Sequence, residues 1–189
     1  MKTLQPIFHD VTSSLPTTTT HLNSILQSQT GSNRNPPQDC YIKADNDLDA
    51  VYYWLREYEY KSTTHRCYQK EAERFLLWCA YKYHKPLSDL DRHDIEIYFN
   101  FLSDPQPRSE WCAPKGGRTR RRGSPDWKPF VTGLNESAKK TAITILNSMF
   151  KYLTQVGYLK HNPLDLIIKK IKSHPSKDER QLEILTRVF

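Results

Sequence analysis

No stretch of this 189-residue chain approaches the roughly 20 apolar residues that a membrane-spanning helix needs. The N-terminus has no apolar core of the kind a secretory signal carries, so neither a bilayer span nor export is expected. The four cysteines, Cys40, Cys67, Cys79 and Cys112, include no C-x-x-C pair and no histidine at zinc spacing. Cys67 and Cys79 fall on one predicted helix, too far apart along its axis to bond each other. Free thiols in a reducing cytoplasm are the expectation. Metal-ligand clusters, a glycine-rich phosphate loop and a nucleophile elbow are missing, so no cofactor and no small-molecule substrate are expected. Strand signals are nearly absent and no internal repeat is visible, which leaves an all-α class.

Charge is present in quantity and is unevenly placed. Residues 1–45 carry 3 basic and 3 acidic residues, 46–105 carry 8 and 11, and 106–189 carry 17 and 7. The overall charge of +7 therefore hides a C-terminal half at +10. A basic half of this strength favours a polyanionic partner, nucleic acid before an anionic membrane.

Residues 1–45 are rich in Thr, Ser, Asn, Gln and Pro, with a TTTT run at 17–20, and are expected to be mostly a disordered tail. A helical domain over 46–171 should follow. Its first helix spans about 47–60, capped by Asn46 or Asp47, with Leu48, Val51, Tyr52 and Leu55 on one side. A second spans 63–83 after Ser62, with Tyr68, Ala72, Phe75, Leu76 and Cys79 inward. A third spans 92–103 after Asp91, with Ile95, Tyr98, Phe99 and Leu102 inward. The fourth spans about 136–156, with Asn135 as cap and Gly157 as its left-handed stop. A short fifth helix can start at Pro163 with Asn162 as cap. Between the third and fourth lies an insertion, 104–134, containing RTRRR at 118–122. A loop of this length inside a compact domain is usually functional or disordered. Trp111 and Trp127 should pack its ends on the domain while the arginine tip moves freely. Residues 172–189 read as a linker and the start of a second domain.

Two helix faces stand out. At 100° per residue, Ala138, Ala142, Ile145, Leu146, Met149, Leu153 and Val156 cluster on one side of 136–156, widened by Ile143 and Phe150. Opposite them fall Ser137, Lys140, Thr141, Thr144, Asn147, Ser148, Lys151 and Gln155, with Glu136 the one acid. Threonine and asparagine are mediocre helix formers, so propensity does not explain them. Short hydroxyl and amide side chains allow close approach to DNA, bonding phosphates or base edges, while lysines supply charge. On 63–83, Arg66, Lys70 and Arg74 recur every four residues beside Thr63, diluted by Glu71 and Glu73. Arg118, Arg120, Arg121 and Arg122 in the insertion, and Lys169, Lys170 and Lys172 after it, are further candidates for phosphate contacts.

The pattern as a whole resembles the N-terminal core-binding (SAM-like) domain of tyrosine recombinases, the phage-integrase class. The matching stretches are STTHRCYQKEAERFLLWC (62–79), KPLSDLDRHDIEIYFNFL (85–102), WKPF (127–130) and LNESAKKTAITILNSMFKYLTQVGYLKHNPL (134–164). GSNR (31–34) and KADNDLDAVYYWL (43–55) are similar to the larger integrases that carry an insertion before the last long helix. The resemblance covers about 31–180 and implies a four- to five-helix orthogonal bundle that clamps double-stranded DNA. It implies DNA contacts by Thr64, Arg66 and Lys70, and by Lys140, Thr141, Thr144 and Ser148. It also implies that the first and last helices meet other recombinase protomers on DNA, a role that suits the acidic first helix with Glu57 and Glu59. The family's chemistry uses an Arg, a Lys, a His-x-x-Arg pair and a tyrosine nucleophile in a separate domain. No histidine here is followed by arginine three positions on. DNA binding in recombination or integration of a mobile element, without strand cleavage by this chain, is therefore the expectation. The alternative is a module that docks on an intact recombinase or another protein. The location implied is cytoplasmic, at the nucleoid when DNA is bound.

Overall fold

A computed structural model of the chain describes residues 4–8, 24–114 and 124–167. Among these residues no strand ladder forms; the two β-bridges, Arg34–Leu159 and Cys112–Phe130, are isolated. The class is all-α, as the missing strand signals predict. The helices are α1 (Asp47–Leu55), α2 (Thr63–Leu77), α3 (Arg92–Ser103), the single turn α4 (Arg108–Trp111) and α5 (Glu136–Gln155).

Local chemistry fixes where they start. Asn46 accepts from Asp49 N, Ser62 from His65 N, and Asn135 from Ala138 N, at 2.9, 3.1 and 2.8 Å. Asp91 and Asp94 form a reciprocal capping box at α3. Each cap answers a backbone N–H that the helix cannot satisfy itself. At the end of α5, Gly157 takes φ 73°, and a Cβ there would collide with the Asp39 carbonyl. Tyr158 N then donates to Leu153 O at 2.9 Å, closing the helix. Asn162 accepts from Leu164 N at 2.9 Å and starts the short helical turn at 165–167.

α5 packs against α1, α2 and α3 and is the central rod of the bundle. Ala142, Ile143, Ile145, Leu146, Met149, Phe150 and Leu153 are buried, most of the predicted stripe; Ala138 and Val156 are only half-buried. Phe75 of α2 meets Tyr98 of α3 and Phe150 of α5 edge-on, with centroids 4.9 and 5.7 Å apart. Such aromatic geometry adds to the area term that drives the packing.

Three expectations need correction. The first helix ends at Leu55 rather than 60, because Tyr58 turns inward onto Trp54 and Tyr68. The second does not run regularly to 83. After Leu77 it widens into a π-helical segment, Trp78–Tyr83, whose i→i+5 register stacks Trp78 on Tyr83 at 4.4 Å. The third concerns the tail. Leu4, Ile7, Phe8 and Leu26 are buried in the common core. The buried Glu73 carboxylate accepts from Ile7 N and Phe8 N at 2.8 and 3.1 Å. Residues 31–35 dock on the turn after α5, where Asn35 Nδ2 donates to Gly157 O and the Arg34 guanidinium lies 4.7 Å from the Tyr158 ring. The segments 4–8 and 24–45 thus belong to the domain; the TTTT run lies outside the described residues.

A buried carboxylate ties this side together. Asp47, fully buried, accepts from Ser88 N (3.0 Å), Ser88 Oγ (3.2 Å) and Tyr158 Oη (2.8 Å). Burial nevertheless pushes its pKa up to about 6.

The insertion is anchored at both ends. Trp111, Trp127 and Phe130 are buried, and Ala113 N donates to Phe130 O while Phe130 N donates to Trp111 O. Gly133 passes so close to the Ser103 carbonyl that any side chain would collide with it. The tip holding Arg118, Arg120, Arg121 and Arg122 lies outside the described residues, as do Lys169, Lys170, Lys172 and all of 172–189.

Candidate nucleic-acid interface

The outer side of α5 is a stripe. Ser137, Thr141, Thr144, Lys151 and Gln155 are exposed at spacings of three, four and seven, which keeps them on one face. Lys140 and Ser148 on the same side are half-buried. Glu136, the one acid, holds Lys139 Nζ at 2.6 Å at the helix N-terminus, where its charge also suits the dipole. Lys139 itself is buried over the Phe99 ring and donates to Ser103 Oγ, so it belongs to the packing. Thr141 and Thr144 donate to the carbonyls of Ser137 and Lys140 at 3.1 and 2.9 Å. Those bonds hold the side chains in one rotamer and leave oxygen lone pairs toward solvent.

On α2 the predicted basic face is shorter than the helix. Thr63, Thr64, Arg66 and Lys70 are exposed, but every residue from Glu71 to Ala80 is buried. Lys70 Nζ stands 3.2 Å from Glu71 Oε1 with about half its side chain in solvent. Arg74 is not on the surface. Its Nη1 reaches Glu71 Oε1 at 3.0 Å, its Nε donates to Pro129 O at 2.9 Å, and its guanidinium lies 4.5 Å from the Phe130 ring. A desolvated arginine clamped by carboxylate, carbonyl and ring has no reach toward a partner. Asn147 is corrected in the same way: it is buried and its Oδ1 accepts from Asn162 Nδ2 at 3.0 Å, tying α5 to the turn that follows. The four-residue spacing of Arg74 and the helical phase of Asn147 each fit the exposed side. Only tertiary cover removes them.

The two faces meet. Ser148 Oγ of α5 lies 3.3 Å from Tyr58 Oη of the α1–α2 connector, and Tyr58 packs edge-to-face on the Tyr68 ring of α2 at 4.6 Å. Thr64 stands one turn before Tyr68, and Thr144 one turn before Ser148. Sequence reading places Tyr68 with the core and passes over Tyr58. Both are only half-buried, and the Tyr58 hydroxyl meets Ser148. A negative border lies further along α5: Tyr152 donates to Glu57 at 3.3 Å, and burial together with that carboxylate pushes the phenol up to about 12. Glu57 and Glu59 are exposed beside it.

Among the described residues no three His, Cys, Asp or Glu side chains gather to hold a metal ion, and no helix is long and apolar enough to cross a membrane. Cys40, Cys67, Cys79 and Cys112 are free thiols, and burial pushes that of Cys79 well up. No family model matches this chain, and no curated protein or solved structure shows a significant match to it.

Proposed function

We propose that the domain binds double-stranded DNA in site-specific recombination or integration. The exposed side of α5 and the first two turns of α2 lie against the duplex, and this chain cuts no strand. One observation carries the reading. The solvent face of the central helix presents Ser137, Thr141, Thr144 and Lys151 with no acid beyond its first residue, and on α2 Thr63, Thr64, Arg66 and Lys70 are exposed as well. Short uncharged side chains flanked by cations allow close approach to a groove, with Thr141 and Thr144 offering acceptors to base-edge donors and the lysines answering the phosphates. The basic insertion tip and the lysines after residue 168 add charge to the same half of the sequence. The proposal places the protein in the cytoplasm, at the nucleoid when bound, with other recombinase protomers beside it.

Arg66→Ala and Lys140→Ala are expected to weaken duplex binding, each flattening the log–log salt slope by about 0.9 for a lost phosphate contact. A gel shift titrated with salt measures both quantities. Unchanged affinity in both variants refutes the assignment of faces.

The exposed Glu57 and Glu59 favour a second reading, a module that docks on an intact recombinase or another protein partner. Retention on DNA would then be weak at physiological salt, and charge reversal at Glu57 would break the protein complex instead.

A further inference from the structure

The seam between α5, α2 and the α1–α2 connector contains a feature that charge does not explain. Tyr58 and Ser148 bring their hydroxyls within 3.3 Å there, and Tyr68 packs beside Tyr58, so side chains from three different elements gather: the α1–α2 connector, α2 and α5. The phenol rings are fixed. Tyr58 and Tyr68 pack edge-to-face at 4.6 Å, and Tyr68 stacks on the buried Trp54 at 5.3 Å with an 11° interplanar angle. Their lower edges are therefore held by the core while each residue keeps part of its surface in solvent. Ser148 sits mid-stripe, with Thr144 one turn before it and Lys151 one turn after.

We infer that this hydroxyl cluster is an uncharged phosphate seat at the seam of the interface, built by Tyr58, Tyr68 and Ser148. The inference rests on the DNA-binding reading and deepens it. Three hydroxyls carry three hydrogens, and the Tyr58–Ser148 bond uses one. Two donors remain to be turned toward an outside oxygen. The chemical class that fits is a phosphodiester oxygen: anionic, acceptor-only and repeated along a duplex. Rigid aromatic stems make the contact at low entropic cost, since the rotamers are already locked by packing. A neutral donor fixes register on the backbone without releasing a counterion. That separates it from Arg66, Lys70 and Lys151, whose contacts are salt-dependent.

The test measures binding of a fluorescent DNA duplex by the full chain across a salt series. Tyr58→Phe, Tyr68→Phe and Ser148→Ala are compared with the unaltered protein, and melting curves are recorded for all four. Removal of the hydroxyl that bonds the phosphate is expected to cost about tenfold in affinity, as for one hydrogen bond to a charged group. The salt slope and the melting temperature should stay unchanged. Ser148→Ala, at a helical position that favours alanine, keeps the test available if a tyrosine variant folds poorly. Affinities within twofold of the unaltered chain in all well-folded variants overturn the seat. So does a loss accompanied by a slope change of a full contact. If the unaltered chain itself fails to bind at low salt, the DNA reading falls, and this inference with it.

Discussion

Arg74→Ala is expected to cost about 3–5 kcal/mol of folding stability, because it leaves a buried charge without its main partner. The Arg74 and Glu71 side chains are 11% and 6% exposed, so neither is well screened by solvent. Losing Arg74 removes two bonds to Glu71 and one to Pro129 O, and strips the cation from the Phe130 ring. Lys70 stays within 3.2 Å of Glu71 but reaches it from solvent, so the loss should fall at the lower end of the range. Arg74→Lys should recover part of it, since an ammonium keeps the charge but cannot bridge carboxylate and carbonyl with a rigid fork. Arg66→Ala, at an exposed position, should stay within about 0.5 kcal/mol of the parent. Urea unfolding midpoints of the three variants decide the matter. If Arg74→Ala unfolds like Arg66→Ala and loses DNA binding with a shallower salt slope, Arg74 is a surface contact and the burial account is wrong.

Removing the Asp47 side chain should cost a comparable amount, about 2–4 kcal/mol, since Ser88 N, Ser88 Oγ and Tyr158 Oη all lose their acceptor inside the core. Its charge is the more informative handle. With a folded pKa near 6 against 3.8 for an ordinary aspartate, the native state holds this proton more tightly than the unfolded chain does. The stabilising contribution is complete below about pH 4 and is lost as pH rises through 6, a total of about 3 kcal/mol. Asp94 acts in the opposite sense: burial raises its pKa, but bonds from Lys85 and Tyr83 outweigh that and hold it low. The difference between parent and Asp47→Asn therefore reads Asp47 alone. The amide can still accept from Ser88 through its oxygen and donate to the Tyr158 oxygen through its nitrogen. Asp47→Asn should show a flatter stability profile than the parent between pH 4 and 6, and should match or exceed it at pH 7.5. A parallel profile in the two proteins means that Asp47 ionises in the fold at an ordinary pKa.

The helices were legible where one local rule governs them. Ser62, Asp91, Asn135 and Gly157 mark their boundaries through side-chain or backbone chemistry that needs no tertiary information. The end of α1 was not, because REYEYKS contains neither Gly nor Pro; Tyr58 leaves the helix to fill a seam set by α2 and α5. The early polar segment misleads for a different reason. Residues 31–35 bury little apolar area, and their Asn and Arg side chains instead satisfy carbonyls at 44–45 and 157–161, contacts more than a hundred residues away in the second case. Composition cannot show such pairing. On the interface, helical phase separated core from surface for Thr141, Thr144 and Lys151. It failed for Arg74 and Asn147, which are covered by the insertion's returning arm and by Asn162.

The central claim is that the seam between α2 and α5 faces nucleic acid. Binding of the full chain to a DNA duplex, followed from low to physiological salt, tests it most directly. Contacts by Arg66, Lys70, Lys140 and Lys151 predict a log–log slope of about −3 or steeper, shallower in the variant lacking all four. Absence of binding at low salt, or a slope that this fourfold variant leaves untouched, would contradict the account.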